Sequence, residues 1–315
     1  MKGLQEFVHD SVLLEETVSA LVPRDGGKYV DCTLGGAGHS RRILEVSSPG
    51  GRLLALDQDE VALAFAQEQL QDFADRVTLV HANFRNVRDV VEAQGVHPVD
   101  GVLFDLGVSS PQFDVAERGF SYRQDGPLDM RMDRTRPLTA FDIVNGWSEA
   151  ELMKIFFEYG EEKFSKAIAR RIVSRRTESP IATTVELAEI VKTAIPAPAR
   201  RSGPHPARRV FQALRIAVND EMGALEEALD GAFAVLGSAG RLAVITFHSL
   251  EDRIVKHRFV DWSTGCTCPR DFPVCQCHHT ERARRISRKP LVAGEGELHS
   301  NPRSRSAKLR VIEKL

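Results

Sequence analysis

Apolar segments of strand length alternate with amphipathic helical segments along the first third of the chain, and this alternation limits the possible folds. Continuous apolar strands are predicted at 28–34, 51–59, 76–84 and 99–109, and helix-like sequence separates them. Strands without polar alternation are buried on both faces, and the helices between them cover those faces. The sequence therefore predicts an α/β fold with a parallel sheet between two layers of helices.

The alternation stops after the fourth strand and resumes much later in the chain. Residues 139–200 show only helical periodicity, whereas 240–249 is a fifth apolar strand and 307–315 a terminal strand. An all-helical domain inserted into the α/β domain explains this order. The predicted inserted helical domain is 139–204. The first part of the α/β domain is 1–138 and its second part is 205–315.

The loop after the first strand, DCTLGGAGHS, contains three glycines. Glycine costs conformational entropy unless the backbone must turn sharply or approach something closely. A strand, a glycine-rich turn and a helix start form a nucleotide cradle, because backbone N–H groups can reach the ligand. Gly35, Gly36 and Gly38 match part of the dinucleotide fingerprint, with Arg41 at its third glycine position. The alternative is a tight turn without a ligand.

Two acids accompany this loop. Asp57 ends the second strand, where a carboxylate can accept both ribose hydroxyls of a nucleotide; the alternative is a helix cap. Asp31 ends the first strand and can meet a ligand's ammonium group or hold the loop. An acidic pocket favours the cationic cofactor S-adenosylmethionine over a nicotinamide dinucleotide with two phosphates.

The fourth strand ends in Asp105, followed by Leu-Gly-Val-Ser-Ser-Pro-Gln. Ligands of open α/β sheets bind at the carboxyl ends of the strands, so Asp105 is placed beside the cofactor. The segment resembles the D/N-P-P-Y loop of amino-group methyltransferases, with Val108 in place of the aromatic residue. Phe113, Phe120 and Tyr122 are candidates to stack on the base instead. The alternative for Asp105 is a structural cap at the end of a strand.

The charge distribution indicates a polyanionic partner. Residues 163–215 carry 12 Lys and Arg against 3 Asp and Glu, and residues 278–310 carry 9 against 3, although the whole chain has a net charge of −2. Basic regions on an acidic body favour nucleic-acid binding; solvated basic faces are the alternative. The sequence has no signal-peptide pattern and no apolar run of membrane length, so we expect a cytoplasmic protein without a membrane partner.

Four of the five cysteines lie close together in the loop 266–279, as CTCPRDFPVCQC, whereas Cys32 lies in a strand. Four thiolates can surround a structural zinc ion, with Pro269 and Pro273 shaping the loop and His278 and His279 as alternative ligands. Free or redox-active thiols and disulfides are the other possibilities. The candidate metal ligands are Cys266, Cys268, Cys275 and Cys277.

Several long motifs occur together: HDSVLLEE, DCTLGGAGHS, LALDQD, DGVLFDLGVSSPQ, FQALRIAVNDE and ITFHSLEDRIVK. With them the chain resembles the bacterial 16S ribosomal RNA (cytosine-N4) methyltransferase family over nearly its whole length. The resemblance implies a Rossmann-like class I methyltransferase sheet with an inserted helical domain. It also implies methylation of one cytidine N4 in 16S rRNA, in the decoding region near the P site, with S-adenosylmethionine as cofactor and the rRNA or the small subunit as partner.

The resemblance also implies roles for particular residues. Loop residues 37–39 would hold the methionine end of the cofactor, Asp57 its ribose and Phe84 its adenine, while Asp105 and Gln112 would close the site. We expect Asp105 to be the catalytic residue. The predicted cofactor residues are Gly35, Gly36, Ala37, Gly38, His39, Asp57, Phe84, Asp105 and Gln112.

The predicted RNA contacts are basic residues of the connector and of the fifth strand's end. His205, Arg208 and Arg209 can contact phosphates, and solvated surface is the alternative. His248 is either an RNA or catalytic contact or a structural histidine. Two rival functions stay open at this point: a NAD-dependent oxidoreductase with a Rossmann domain, and a non-catalytic RNA-binding factor in ribosome assembly. A C5-methyltransferase is disfavoured, because Cys268 lies outside the sheet pattern.

Overall fold

A computed structural model describes residues 11–201, 203, 205–268, 274–277 and 279–315. The chain divides into two compact units. The first unit consists of Met1–Gly107 and Gly223–Leu315, and the second of Val108–Met222.

The first unit contains a seven-stranded sheet in the order β3-β2-β1-β4-β5-β7-β6. The first five strands run parallel, whereas β7 is antiparallel to both of its neighbours. This arrangement confirms the predicted α/β class. The strands are β1 Lys28–Asp31, β2 Arg52–Asp57, β3 Val77–His81, β4 Val99–Asp105, β5 Leu236–Thr246, β6 Ala283–Arg285 and β7 Lys308–Lys314.

Helices cover both faces of the sheet, which explains the continuous apolar strands. Successive strand residues alternate between two cores: Val102 and Phe104 point into one, and Leu103 between them points into the other. Each fully buried side chain of this size stabilises the fold by about 1.5–3 kcal/mol. The helices of this unit are α1 Leu14–Leu21, α2 Gly38–Val46, α3 Glu60–Gln69, α4 Val87–Ala93, α11 Glu221–Val235, α12 Ser249–Trp262 and α13 Glu295–Ser300, with α11 beginning at the boundary.

The second unit is helical and has its own apolar core. It is larger than the insert predicted at 139–204. Leu128 and Met130 of the preceding loop are buried in its core, and Asn219 hydrogen-bonds to the backbone of Met130 and Met132 at 2.8 Å. The helices are α5 Ser110–Asp114, α6 Ala140–Gly146, α7 Glu149–Glu158, α8 Ser165–Arg176, α9 Thr184–Ala194 and α10 Ala207–Asn219.

Among the helices of the described part, none has the length and apolarity that crossing a membrane requires.

Candidate active site

Predicted site residues of the first unit meet along one edge of the sheet. Because β1 to β5 are parallel, their carboxyl ends lie on the same side. In sheet order this edge carries Phe84 after β3, Asp57 on β2, loop 35–38 after β1, Asp105 on β4 and His248 after β5. Positions far apart in sequence thus form a row centred on β1 and β4, where the strand order reverses and ligands of such sheets bind.

The glycine loop is a tight turn that leads directly into α2. The Ala37 N–H donates to the Leu34 carbonyl at 2.7 Å, and Gly35 and Ala37 both have positive φ, at 47° and 63°. At Gly38 a Cβ would lie 2.0 Å from the Ser11 Oγ, so a larger residue there would require the Ser11 side chain to move. No described side chain caps the amino end of α2, which leaves first-turn N–H groups to water or a ligand. The loop is therefore both a tight turn and a candidate cradle.

Asp57 is bonded to the glycine loop. Its Oδ2 accepts a hydrogen bond from the Gly35 N–H at 2.9 Å, and its Oδ1 accepts one from the Asp59 N–H at 2.9 Å. Asp59, whose Oδ1 accepts from Val61, is the residue that caps α3. Burial raises the pKa of Asp57 to about 6. The capping alternative for Asp57 is thus excluded, and the carboxylate keeps lone pairs for a further donor.

Asp31 also holds the glycine loop in place. It is 1% exposed, and its carboxylate accepts hydrogen bonds from the Thr33 N–H at 3.0 Å and the Ser40 hydroxyl at 2.7 Å. Burial raises its pKa. These bonds support the loop-holding interpretation of Asp31. Thr33 and Ser40 were not among the predicted site residues; short hydroxyl side chains on either side of the glycines are the signal that indicates them.

Asp105 presents one carboxylate oxygen without a partner. Its N–H donates to the Thr33 hydroxyl at 2.6 Å, and its Oδ2 lies 3.6 Å from Nδ1 of His39. His39 is buried, and its Nε2 donates to the Val12 carbonyl at 3.0 Å. The Oδ1 of Asp105 is buried, and no described residue hydrogen-bonds to it. A cap at a strand end would use this oxygen, so its isolation favours a ligand-binding role.

The electrostatics of Asp105 agree with this arrangement. Burial, and after it the charges of Asp31 and Glu251, raise the pKa of Asp105 well above its ordinary value. Three carboxyl groups, those of Asp31, Asp57 and Asp105, therefore lie at neighbouring strand ends, and Asp31 adds to the pKa rise of both others. A cation would relieve this repulsion, whereas a phosphate would increase it.

Phe84 lies at the other end of the row. Its ring packs edge-on against Phe104 at 5.9 Å, with 86° between the planes, and it adjoins the core while staying partly exposed. An aromatic ring in this position offers a face for a planar group. The predicted adenine contact remains a prediction.

His248 caps α12. Its Nδ1 accepts from the Glu251 N–H at 3.4 Å, and Glu251 Oε2 accepts from the His248 N–H at 3.2 Å, which completes a capping box. The His248 Nε2 lies 3.0 Å from Glu251 Oε1 but is buried without a hydrogen bond to a described residue. This supports the structural interpretation of His248, and its RNA contact remains a prediction.

The remaining candidates belong to the second unit, apart from the cysteines, which follow α12 in the first. Gln112 is buried, and its Oε1 accepts from the Ser109 N–H at 3.1 Å. Of the aromatic candidates, Phe120 is buried, Phe113 is 37% exposed and Tyr122 stacks on His205 with 4.7 Å between ring centroids. The predicted roles of these residues in cofactor and base binding stay predictions.

Comparison with known proteins identifies relatives over almost the whole length. A ribosomal RNA small subunit methyltransferase H from Brevibacillus brevis is 59% identical over 309 residues, with 98% of each chain covered. The corresponding protein of a Paenibacillus species is 60% identical and covers 98% of this chain and 100% of its own. A crystallised rRNA methylase from Streptococcus thermophilus aligns with a TM-score of 0.40 at 11% identity, covering 95% of this chain and 92% of that one. Residues 6–315 match the model of the MraW methylase family. The chain, with its row of site residues along one edge of a parallel sheet, belongs to the MraW methylase family.

Proposed function

We propose that this protein transfers a methyl group from S-adenosylmethionine to the exocyclic N4 of a cytidine in 16S rRNA, in the decoding region near the P site. The observation that carries the proposal is the unpartnered Oδ1 of Asp105 at the carboxyl end of β4, beside the glycine loop. Family membership and the names of relatives that are about 60% identical support ribosomal RNA as the substrate. The choice of N4 and of the decoding region follows from the family resemblance, and the unpartnered oxygen of Asp105 is compatible with an exocyclic amine as its donor.

The residues of the edge fit the proposed cofactor. Asp57 has free lone pairs for ribose hydroxyls, and the first turn of α2 has N–H groups without a side-chain cap. Asp31 adds to the pKa rise of both Asp57 and Asp105, so the site favours a cationic ligand over a dinucleotide with two phosphates. When bound, S-adenosylmethionine supplies an electrophilic methyl group on a sulfonium ion.

Asp105 performs the chemistry that falls to the protein. Its Oδ1 accepts one N–H of the cytosine amine and thereby orients the nitrogen, whose lone pair is otherwise delocalised into the ring. The raised pKa makes the carboxylate a better acceptor for the proton that the nitrogen loses when it bonds to the methyl carbon. Thr33 and His39 hold Asp105 in place through its N–H and its Oδ2. Positioning accounts for most of the expected acceleration.

The second unit offers a basic surface for the RNA. A cavity of about 390 Å³ is lined by Lys163, Arg200, His205 and Arg209 together with apolar side chains and Glu162. Arg209 and Lys163 are exposed around it. Exposed cations around a cleft are suited to phosphate binding. The His205 ring, which stacks on Tyr122, can also stack on a base. Arg208 is exposed beside Arg209 and remains a predicted phosphate contact.

The experiment is transfer of labelled methyl groups to small ribosomal subunits, and separately to naked 16S rRNA, from cells that lack the modification. Nucleoside digestion and mass spectrometry against N4-, C5-, N3- and 2′-O-methylcytidine standards identify the product. We expect N4-methylcytidine as the labelled nucleoside. Label in another nucleoside contradicts the N4 assignment. Tight RNA binding without methyl transfer indicates an assembly factor, and binding of NADH instead of S-adenosylmethionine indicates an oxidoreductase.

A further inference from the structure

Four cysteine thiols form one cluster in the connection between α12 and β6. The Sγ atoms of Cys266, Cys268, Cys275 and Cys277 all lie within 4.8 Å of one another. Individual pairs are 3.4 Å apart for Cys266 and Cys275, 3.6 Å for Cys275 and Cys277, and 3.7 Å for Cys266 and Cys277. Residues 269–273, with Pro269 and Pro273, lie outside the described part.

These separations match the edges of a metal tetrahedron. With Zn–S bonds of about 2.3 Å, tetrahedral geometry places neighbouring sulfurs about 3.8 Å apart. Sulfurs of a disulfide are about 2.0 Å apart, and their pairing would leave the two bridges as separate units. Three sulfurs at nearly equal mutual distances, with the fourth within 4.8 Å of each, therefore favour a common central ion over two disulfides.

Backbone hydrogen bonds hold the sulfurs in a nearly symmetric frame. The N–H of Thr267, between the first two cysteines, donates to Cys277 Sγ at 3.3 Å. The N–H of Gln276, between the last two, donates to Cys268 Sγ at 3.3 Å. Each Cys-x-Cys pair thus donates to a sulfur of the other pair. N–H groups directed at sulfur stabilise thiolates and are the usual surroundings of metal-bound cysteines.

The histidine beside the cluster has another role. The Nδ1 of His279 lies 2.9 Å from the Thr264 carbonyl, and its Nε2 lies 3.4 Å from Asp261 Oδ1. Both nitrogens are thus engaged with the end of α12 and the residues after it. His279 fastens the connection, and the four cysteines form the ligand set; His278 lies outside the described residues.

The cluster is remote from the candidate active site. The helix α12 begins at the carboxyl end of β5 and its 14 residues span about 21 Å. The connection then enters β6 at Ala283, which pairs with Lys314. The adjacent Glu313 pairs with Arg241 of β5, and Arg241 lies beside Gly101 near the start of β4. The base of the connection therefore lies towards the edge of the sheet opposite Asp105.

A metal ion at this place would close a long connection. Residues 263–282 contain no helix or strand in their described part, and connections of this length are uncommon in compact domains without a stabilising element. The base of the connection is closed by a hydrogen bond from the Arg282 N–H to the Trp262 carbonyl at 2.9 Å. We propose that Cys266, Cys268, Cys275 and Cys277 bind one structural zinc ion that fastens this connection.

Metal analysis of the full-length protein, purified without an affinity metal, tests the proposal. We expect about one zinc per chain in the wild-type protein and in the Cys32→Ser control, which removes the buried cysteine outside the cluster. The Cys268→Ser/Cys275→Ser variant should lose the zinc. Since this variant can fail to fold, exchange of zinc for Co²⁺ in the wild-type protein provides a second readout, with the intense visible bands of tetrahedral thiolate coordination expected.

Several results would overturn the proposal. A wild-type protein without zinc whose four clustered thiols react rapidly with a thiol reagent has free cysteines. A non-reduced protein whose mass is lower by two hydrogens for each bond has disulfides. Cobalt spectra typical of octahedral oxygen and nitrogen ligands would place the ion elsewhere in the protein.

Discussion

The two units differ in the sign of their functional charges and in the exposure of those charges: the first has buried carboxyl groups and the second has exposed basic side chains. At the sheet edge of the first unit, the carboxyl groups of Asp31 and Asp57 accept hydrogen bonds from N–H or hydroxyl groups, and the pKa of each is raised. Around the cavity of the second unit, Lys163 and Arg209 are exposed to solvent. Burying a charge costs several kcal/mol unless it is bonded, whereas an exposed charge costs little.

This difference teaches where specificity and where affinity arise. A buried group has a fixed direction, so the single free oxygen of Asp105 can select one donor. Exposed lysines and arginines attract phosphates without fixing the sequence, and salt screens them. Changes at the sheet edge should therefore have large and specific effects, and changes on the helical unit small and general ones.

The largest effect is expected for Asp105→Ala. Loss of the acceptor for the cytosine amine should lower the single-turnover rate about 10²–10³-fold while cofactor affinity changes little. Asp105→Asn keeps an acceptor oxygen and should retain more activity than the alanine variant. The measurement is single-turnover methyl transfer at saturating cofactor. Full activity of Asp105→Ala with unchanged cofactor binding would remove Asp105 from the chemistry.

A smaller effect, on binding instead of chemistry, is expected for Asp57→Asn. The variant keeps one acceptor oxygen but loses the charge that ribose hydroxyls would meet, so affinity for S-adenosylmethionine should fall about 10–100-fold. Isothermal titration calorimetry measures the affinity, and thermal unfolding shows whether the glycine loop keeps its support. Asp75→Asn, a change of the same type in the loop before β3, is the control and should bind normally. Equal affinities would exclude Asp57 as a cofactor ligand.

The pH dependence of binding should follow from the pKa of Asp57, about 6. Below that value the ligand-free protein carries a neutral carboxyl group, and the ribose hydroxyls meet a weaker acceptor. Affinity for S-adenosylmethionine should therefore decrease by up to about tenfold between pH 7 and pH 5. Titrations across this range in the wild-type protein and in Asp57→Asn separate this group from others, since the variant should show a flatter profile. If the pH profile of affinity is unchanged in Asp57→Asn, a group other than Asp57 causes the pH dependence.

The smallest effect is expected for Arg209→Ala in the second unit. Loss of one phosphate contact should weaken RNA binding about threefold, equally for all sequences, and lower the slope of log affinity against log salt by about 1. The affinity is measured by fluorescence anisotropy at several salt concentrations. Lys256→Ala, at an exposed position on α12, is the matched control. An unchanged salt slope for Arg209→Ala would show that the cavity does not contact RNA.

Much of the first unit could be predicted because its signals are local. Apolar strands without polar alternation indicated a parallel sheet, and a polar or glycine residue at each strand end indicated the edge where ligands bind. Asp57, Asp105 and the glycine loop were predicted as site residues for this reason. Phe84 and Gln112 came from the family resemblance, since an aromatic or amide residue after a buried segment resembles any core or loop residue.

Other features depend on contacts between distant segments and could not be predicted. Leu128 and Met130 lie in a polar loop, yet they fill the helical core, so the predicted insert boundaries differed from those of the second unit. Likewise, a side chain at residue 38 would displace Ser11, and Thr33 after β1 bonds to Asp105 on the neighbouring β4. None of these contacts leaves a pattern in a short window of sequence.

The amino-acid sequence by itself determined the sheet class, the helical insertion, the acids at the strand ends and the grouping of four cysteines, because each follows from the spacing of residue types along the chain. The tertiary structure decided what each of those residues does. It left one oxygen of Asp105 without a partner, engaged Asp31 and His248 in structural hydrogen bonds, and brought four sulfurs within 4.8 Å of one another. The physical reason is that burial and hydrogen bonding depend on which segments meet, and only the folded chain brings those segments together.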